Sequence, residues 1–136
     1  KTNVTYYGYG PYESYSDKHR ASWVDRFDTT VDDMFEDYVF PQENGSHYNC
    51  QYASVGNLYA KGKKPFSFQA SRYSEKELDE KAHNFELVPS DGIYVALDYK
   101  QSGIGSNSCG PRLAEKYQIR EEKIEWEISI RFDNGN

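Results

Sequence analysis

The stretch Ile124-Glu125-Trp126-Glu127-Ile128-Ser129-Ile130-Arg131-Phe132 decides the fold class of this chain. Its apolar and aromatic side chains alternate with charged or hydroxyl-bearing ones, so an extended backbone places all the apolar side chains on one face. One dry face and one wet face are typical of a half-buried strand in an antiparallel sheet. The pattern therefore predicts a mainly β protein.

The same alternation recurs towards the N-terminus and predicts five more strands. They are Asn3–Tyr9, Ser22–Phe27, His47–Val55, Phe66–Tyr73 and Ile93–Tyr99. Turn signals separate them at Gly10-Pro11, Glu43-Asn44-Gly45, Gly62, Asp91-Gly92 and 103–111. Short strands punctuated in this way predict an antiparallel β-sandwich, and the absence of a linker or repeat predicts one domain over residues 1–136.

Two short helical segments interrupt this pattern. Ser74 followed three residues later by Glu77 is the signature of a capping box, and it predicts one short helix running to Ala82. A weaker helical turn is predicted from Thr30 to Phe35. The lysine-rich segment 61–64, which contains Gly62, is interpreted as a solvated turn.

Composition and charge exclude several classes of protein. The net charge is −6 and the 16 Lys and Arg residues are scattered, which argues against nucleic-acid binding. No apolar run approaches the ~20 residues needed to cross a bilayer, so no membrane association is expected. No signal-peptide pattern opens the chain, so a cytoplasmic location is expected. The start at Lys1 suggests a fragment or a processed product.

The candidate chemical groups each allow two interpretations. Glu13 and Glu43 both adjoin turns, so they could form a glycosidase carboxylate pair, or each could accept hydrogen bonds that stabilise its own loop. Cys109 could act as a nucleophile with His47 or His83, or could be a small, inert thiol. The two cysteines lack metal-ligand spacing, and no metal site is expected.

Several segments together resemble the C-terminal β-sandwich (small-chain) region of the glycoside hydrolase family 2 β-galactosidases. The resemblance rests on ordered motifs that cover nearly the whole chain: Tyr7–Lys18, Asp25-Arg26-Phe27, Tyr38–Gly45, Phe66–Ser74, Leu97-Asp98-Tyr99 with Gly103-Ile104-Gly105, and Ser106–Pro111. It implies half of a galactose-mutarotase-like supersandwich. In that family the catalytic glutamates and the divalent and monovalent cations belong to a TIM barrel of about 250 residues, which this chain is too short to contain.

The resemblance also implies roles for particular residues. The glycine-rich loop Gly103–Pro111 would reach the rim of the sugar pocket, with Asn107, Ser108 and Cys109 lining it. Cys109 stands where some members carry a Trp that packs on the sugar. Glu13, Asp17 and Glu43 would organise loops and interfaces.

We therefore expect a non-catalytic accessory domain that completes the sugar pocket of a lactose-hydrolysing enzyme. Its partners would be the catalytic barrel and the remaining half of the sandwich, and the isolated chain would be inactive and prone to self-association. An independent carbohydrate-binding module is the main alternative, and such modules usually display an exposed aromatic platform. A small self-sufficient hydrolase is a further alternative.

Overall fold

The computed structural model describes residues 2–104 and 113–134, and within them six strands form one antiparallel sheet. The strands are β1 (Asn3–Gly10), β2 (Trp23–Thr30), β3 (His47–Val55), β4 (Leu58–Ser71), β5 (Tyr94–Asp98) and β6 (Ile128–Phe132). Their order across the sheet is β2-β1-β3-β4-β5, and β6 also pairs with β4. The predicted class is confirmed: the chain is mainly antiparallel β, consistent with a β-sandwich.

Strand β4 is the longest element, and it corrects the prediction of a turn at 61–64. It runs for 14 residues, with β6 paired along Leu58–Gly62 and β5 along Ser67–Ser71. Pro65 lies between these two partners, where its missing N–H breaks no ladder bond to either strand. Across β3 the register shifts between Cys50 and Tyr52, as in a β-bulge, which lets the strand continue past this irregular stretch.

Strand β6 is shorter than its sequence pattern predicts. The alternation begins at Ile124, but the strand begins at Ile128, which pairs with Gly62 of β4. Beyond Gly62, β4 offers this segment no further ladder partner. Residues 124–127 therefore lie outside the sheet although their side chains alternate.

All six strands direct apolar side chains to one face of the sheet, where they form a single core. Close approach of β1 and β3 is part of this packing, since a Cβ on Gly8 would lie 2.5 Å from the Cys50 sulfur. Only glycine fits there without displacing the neighbouring strand. The buried core comprises Val4, Tyr6, Val31, Met34, Cys50, Ala53, Val55, Phe66, Phe68 and Ala70, with Phe27, Ile93, Val95, Leu97, Trp126 and Ile128 packed against it.

The predicted helix is present as α1 (Glu75–Glu80), the one α-helix in the described ranges. Ser74 caps it by accepting the Glu77 N–H at 3.0 Å. The Glu77 carboxylate accepts the Val88 N–H at 2.9 Å, so it fastens the chain after the helix.

Three single 3-10 turns complete the secondary structure, at Asp32–Met34, Asn84–Glu86 and Glu115–Tyr117. The first confirms the weaker helical turn that the sequence predicts. None of the helices between residues 2 and 104 or between 113 and 134 has the length and apolar character to cross a membrane.

Candidate functional site

Glu13 lies in the loop after β1 and is bound by donors from three parts of the chain. Its Oε1 accepts from Lys18 Nζ at 2.7 Å and from the Tyr38 hydroxyl, and its Oε2 accepts the Gly45 N–H at 3.0 Å. The Glu13 side chain is only 5% exposed. A buried carboxylate with three good donors is a structural anchor for the segments that supply them.

The electrostatics of this cluster favour an ionised Glu13. Burial by itself would raise the pKa of Glu13, but the hydrogen bonds from Lys18, Tyr38 and the Gly45 N–H outweigh it and lower that pKa. Although burial opposes it, the hydrogen bond to Glu13 raises the pKa of Lys18. The carboxylate is thus an acceptor at neutral pH and is not poised to donate a proton.

Glu43 is joined to the end of β5 through a glutamine side chain. Gln101 Nε2 donates to Glu43 Oε1 and to Asp98 Oδ2, both at 3.1 Å, and Gln101 Oε1 accepts from Ser46 Oγ at 3.2 Å. Desolvation raises the pKa of Glu43, and the negative charges of Asp98 and Glu75 raise it further. The shared amide N–H group offsets part of this repulsion by bridging the two carboxylates.

Asp17 holds the beginning of the glycine-rich segment. Its Oδ1 accepts the Ile104 N–H at 3.0 Å. A Cβ on Gly103 would overlap the Asp17 carboxylate, so glycine is required for this close approach. Asp17 therefore fixes the backbone where it leaves the sheet.

These contacts bring three segments together, and we call residues 11–18, 43–46 and 101–104 the loop junction. Backbone bonds reinforce it, with the Ser14 N–H donating to the Ser46 carbonyl at 2.7 Å. Three of the residues singled out from the sequence, Glu13, Asp17 and Glu43, all lie within it. Their role as loop and interface organisers remains a prediction, and Asn107, Ser108 and Cys109 lie outside the described residues.

The histidines considered as partners of Cys109 are engaged within the chain. His47 is buried, its ring stacks on Tyr6 with centroids 4.2 Å apart, and its Nδ1 lies 3.0 Å from the Tyr9 carbonyl oxygen. Burial lowers the pKa of His47 to about 4. His83 Nδ1 lies 3.3 Å from Glu86 Oε2 in a surface 3-10 turn. Neither environment favours a thiol-activating base.

Metal binding also finds no ready site in this part of the molecule. In residues 2–104 and 113–134, no three His, Cys, Asp or Glu side chains come together in a way that could hold a metal ion. The carboxylates of the loop junction are instead bound by N–H and O–H donors.

Sequence reasoning missed Gln101 and Tyr38 as members of the junction. A single glutamine in a polar loop, or one tyrosine among 13, belongs to no local pattern. The signal that could have found them is indirect: an acidic residue beside a turn needs donors, and the donors here come from residues distant in sequence.

Comparison with known proteins identifies the family. The family model for the β-galactosidase small chain matches residues 1–132. A β-galactosidase of Actinobacillus pleuropneumoniae is 48% identical over 133 residues, covering 98% of this chain and 13% of that protein. β-Galactosidases of Staphylococcus xylosus and Streptococcus thermophilus are 42% and 35% identical, over 95% and 78% of this chain and 13% and 11% of theirs.

The chain thus spans about an eighth of the length of these curated relatives, and the match extends through all six strands and the loop junction. On that basis, the chain belongs to the β-galactosidase small-chain family.

Proposed function

We propose that this chain is a non-catalytic part of a larger β-galactosidase, in which it completes the wall of the sugar pocket and supports assembly. The intact enzyme would hydrolyse terminal β-D-galactosides such as lactose. The names of the relatives and the small share of their length that the chain covers support this proposal. The catalytic glutamates, and any divalent or monovalent cations that serve them, would lie in the remainder of the enzyme.

The loop junction is the observation that carries the proposal. Asp17 and Gln101 bind the segment 101–104 from two sides, and this segment leads directly into residues 105–111. A pocket wall must be held in place to contribute to sugar binding, because small displacements of a contacting group are costly. We propose Asn107, Ser108 and Cys109 as the residues that line the pocket.

The chemistry of the junction supports a supporting role and not a catalytic one. A glycosidase needs one carboxyl group that donates a proton and another that attacks or activates water. Glu13 accepts three donors and its pKa is lowered, while Glu43 and Asp98 share the amide of Gln101. These carboxylates are occupied in holding loops.

The apolar side of β6 supports the assembly role. Ile130 and Phe132 lie on the core side of the sheet, in register with the buried Ala60 and the partly buried Leu58, yet they are 49% and 63% exposed. Exposed apolar groups that continue a core surface are typical of an unfilled packing interface. We propose that the remaining half of the sandwich packs there.

A chimeric enzyme tests the proposal. The segment of the Actinobacillus pleuropneumoniae β-galactosidase that matches this chain is replaced by the chain, and a second version lacks the segment altogether. We expect the chimera to hydrolyse lactose, the deleted version to have lost at least most of its kcat/KM, and the isolated chain to release no phenol from an aryl β-galactoside above a buffer blank. A deleted version with full activity, or turnover by the isolated chain, would contradict the proposal.

Cys109 allows a sharper test of the pocket wall in the same chimera. A thiol offers a sugar less contact area than an indole, so Cys109→Trp is expected to change kcat/KM for lactose by roughly 10- to 200-fold. Cys50→Ser is the matched control, since Cys50 is buried in the core and is expected to affect stability alone. Unchanged kinetics in Cys109→Trp would place this residue away from the sugar.

A further inference from the structure

Three tyrosines form a row across the face of the sheet opposite the core. Tyr7 on β1 pairs directly with Tyr52 on β3, and their ring centroids are 6.2 Å apart. Tyr59 on β4 is the diagonal neighbour of Tyr52, with centroids 6.0 Å apart. The ring planes of both pairs are within 28° of parallel. We call Tyr7, Tyr52 and Tyr59 the tyrosine face.

The tyrosine face is half-buried and has polar tips. Each of the three side chains alternates along its strand with buried core residues, so the rings lie on the solvent side of the sheet. Within residues 2–104 and 113–134, none of their hydroxyls donates to another side chain or carbonyl. The rings thus offer an apolar surface with hydroxyl groups still available for a ligand.

The charges around the tyrosine face are balanced. Arg131 on β6 lies with its guanidinium 4.5 Å from the centroid of the Tyr59 ring, and it pairs with Asp133 at 3.4 Å. At the other end Arg26, opposite Tyr7 on β2, pairs with Asp28 at 3.1 Å. Both cations already have a carboxylate partner, so the surface favours a ligand without net charge.

No other role found in the molecule uses these tyrosines. They contribute nothing to the core, and Glu13, Asp17 and Gln101 of the loop junction bind other side chains. Stacked tyrosines on strands do contribute cross-strand stability, but large apolar rings on a wet face are also costly to leave in water. A ligand that covers the rings would remove that cost.

We propose that the tyrosine face binds a neutral oligosaccharide, at a site separate from the pocket wall of the proposed function. A pyranose ring has an apolar face of C–H groups that packs on an aromatic ring and a rim of hydroxyls that needs hydrogen bonds. The row supplies successive rings about one sugar unit apart, and Thr5, Ser54 and Lys61 flank it in register with donors and acceptors. Such a site takes an extended chain of several sugar units, because each ring contacts one unit.

The experiment maps binding on the isolated chain by NMR and calorimetry, with β-1,4-linked galactotetraose and cellotetraose as probes. Shift changes are expected at the tyrosine face and not at the loop junction. Tyr52→Ala is expected to weaken binding at least tenfold, the loss usual for one good packing contact, whereas Tyr52→Phe keeps most of it because the ring remains. Tyr94→Ala is the matched control, since Tyr94 is an exposed tyrosine on β5 outside the row.

The outcomes separate this inference from the proposed function. Failure of both probes to bind, or binding unchanged in Tyr52→Ala, overturns the tyrosine face as a sugar site. Shift changes confined to the loop junction also overturn it, while leaving the pocket-wall proposal standing. If Tyr52→Ala does not fold, Tyr59→Leu provides the same comparison. Sedimentation that shows the tyrosine face joining two copies of the chain overturns a carbohydrate occupant in favour of a protein one.

Discussion

At the residue scale, His47 makes the stability of the fold depend on pH. It is 2% exposed, and burial lowers its pKa from 6.5 to about 4. A group whose pKa is lower in the folded state than in the unfolded state binds protons preferentially when the chain unfolds. Stability is therefore lost as the pH falls below about 6.5 towards 4, and the contribution of His47 is complete above that window.

We expect His47 to account for a loss of about 2–3 kcal/mol in the free energy of unfolding between pH 7 and pH 4.5. Urea unfolding of the parent and of His47→Gln at both pH values measures it, because the variant lacks the titrating ring. His83→Gln, at an exposed histidine, serves as the control and should follow the parent. Equal pH dependence in the parent and in His47→Gln would show that the ring does not report the buried environment.

Glu13 gives a second prediction at this scale. Glu13→Gln removes the charge that Lys18 Nζ binds at 2.7 Å and weakens the acceptor used by Tyr38 and the Gly45 N–H. We expect a loss of about 1–3 kcal/mol in unfolding free energy at pH 7, since hydrogen bonds to a buried charge are worth that much. Glu127→Gln breaks an exposed pair with Lys63 and should cost less than about 1 kcal/mol. Equal effects of the two changes would contradict an anchoring role.

At the scale of elements, Gln101 links β5, segment 43–46 and the start of the glycine-rich segment. Gln101→Leu removes the three hydrogen bonds of its amide and leaves Glu43 and Asp98 without their shared donor. We expect the Ile104 amide to exchange its hydrogen roughly tenfold faster, because one lost hydrogen bond is worth about 1 kcal/mol.

Hydrogen exchange read out by NMR measures this loosening directly, and it does not depend on catalysis. Gln51→Leu is the matched control, at an exposed glutamine on β3 away from the loop junction. Unchanged protection at Ile104 in Gln101→Leu would mean that Asp17 alone holds this segment.

At the scale of the whole molecule, the sheet ends in strands with open edges and carries an exposed apolar strip on β6. Within residues 2–104 and 113–134, β2 and β5 each have one strand neighbour, and Phe132 is 63% exposed. Unpaired edges and apolar strips recruit other chains. We expect the isolated chain to self-associate at high concentration and Phe132→Glu to reduce this association.

Sedimentation equilibrium over a range of concentrations measures the association. Phe85→Glu is the control, since Phe85 is 82% exposed in a surface turn away from the sheet edges. A clean monomer throughout, or equal effects of the two substitutions, would contradict the assignment of β6 as the open packing surface.

The sequence by itself determined the features that depend on neighbouring residues. Alternating side chains specify where an extended strand can bury one face, so the strand at His47–Val55 and the core side of β6 follow from the pattern. Ser74 specifies the start of α1 because its hydroxyl caps an N–H three residues away. The motifs around Glu13, Asp17 and Glu43 likewise indicated residues at loop ends.

Only the tertiary structure decided features that depend on pairing between distant strands. Strand β4 continues through Pro65 because β5 and β6 pair with its two halves, and β6 stops at Ile128 because its partner offers no further ladder. The stacking of Tyr7, Tyr52 and Tyr59 likewise requires a particular register, since a slip of one residue would turn each ring to the other face. Register and long-range donors are properties of the assembled sheet, and no local stretch of sequence contains them.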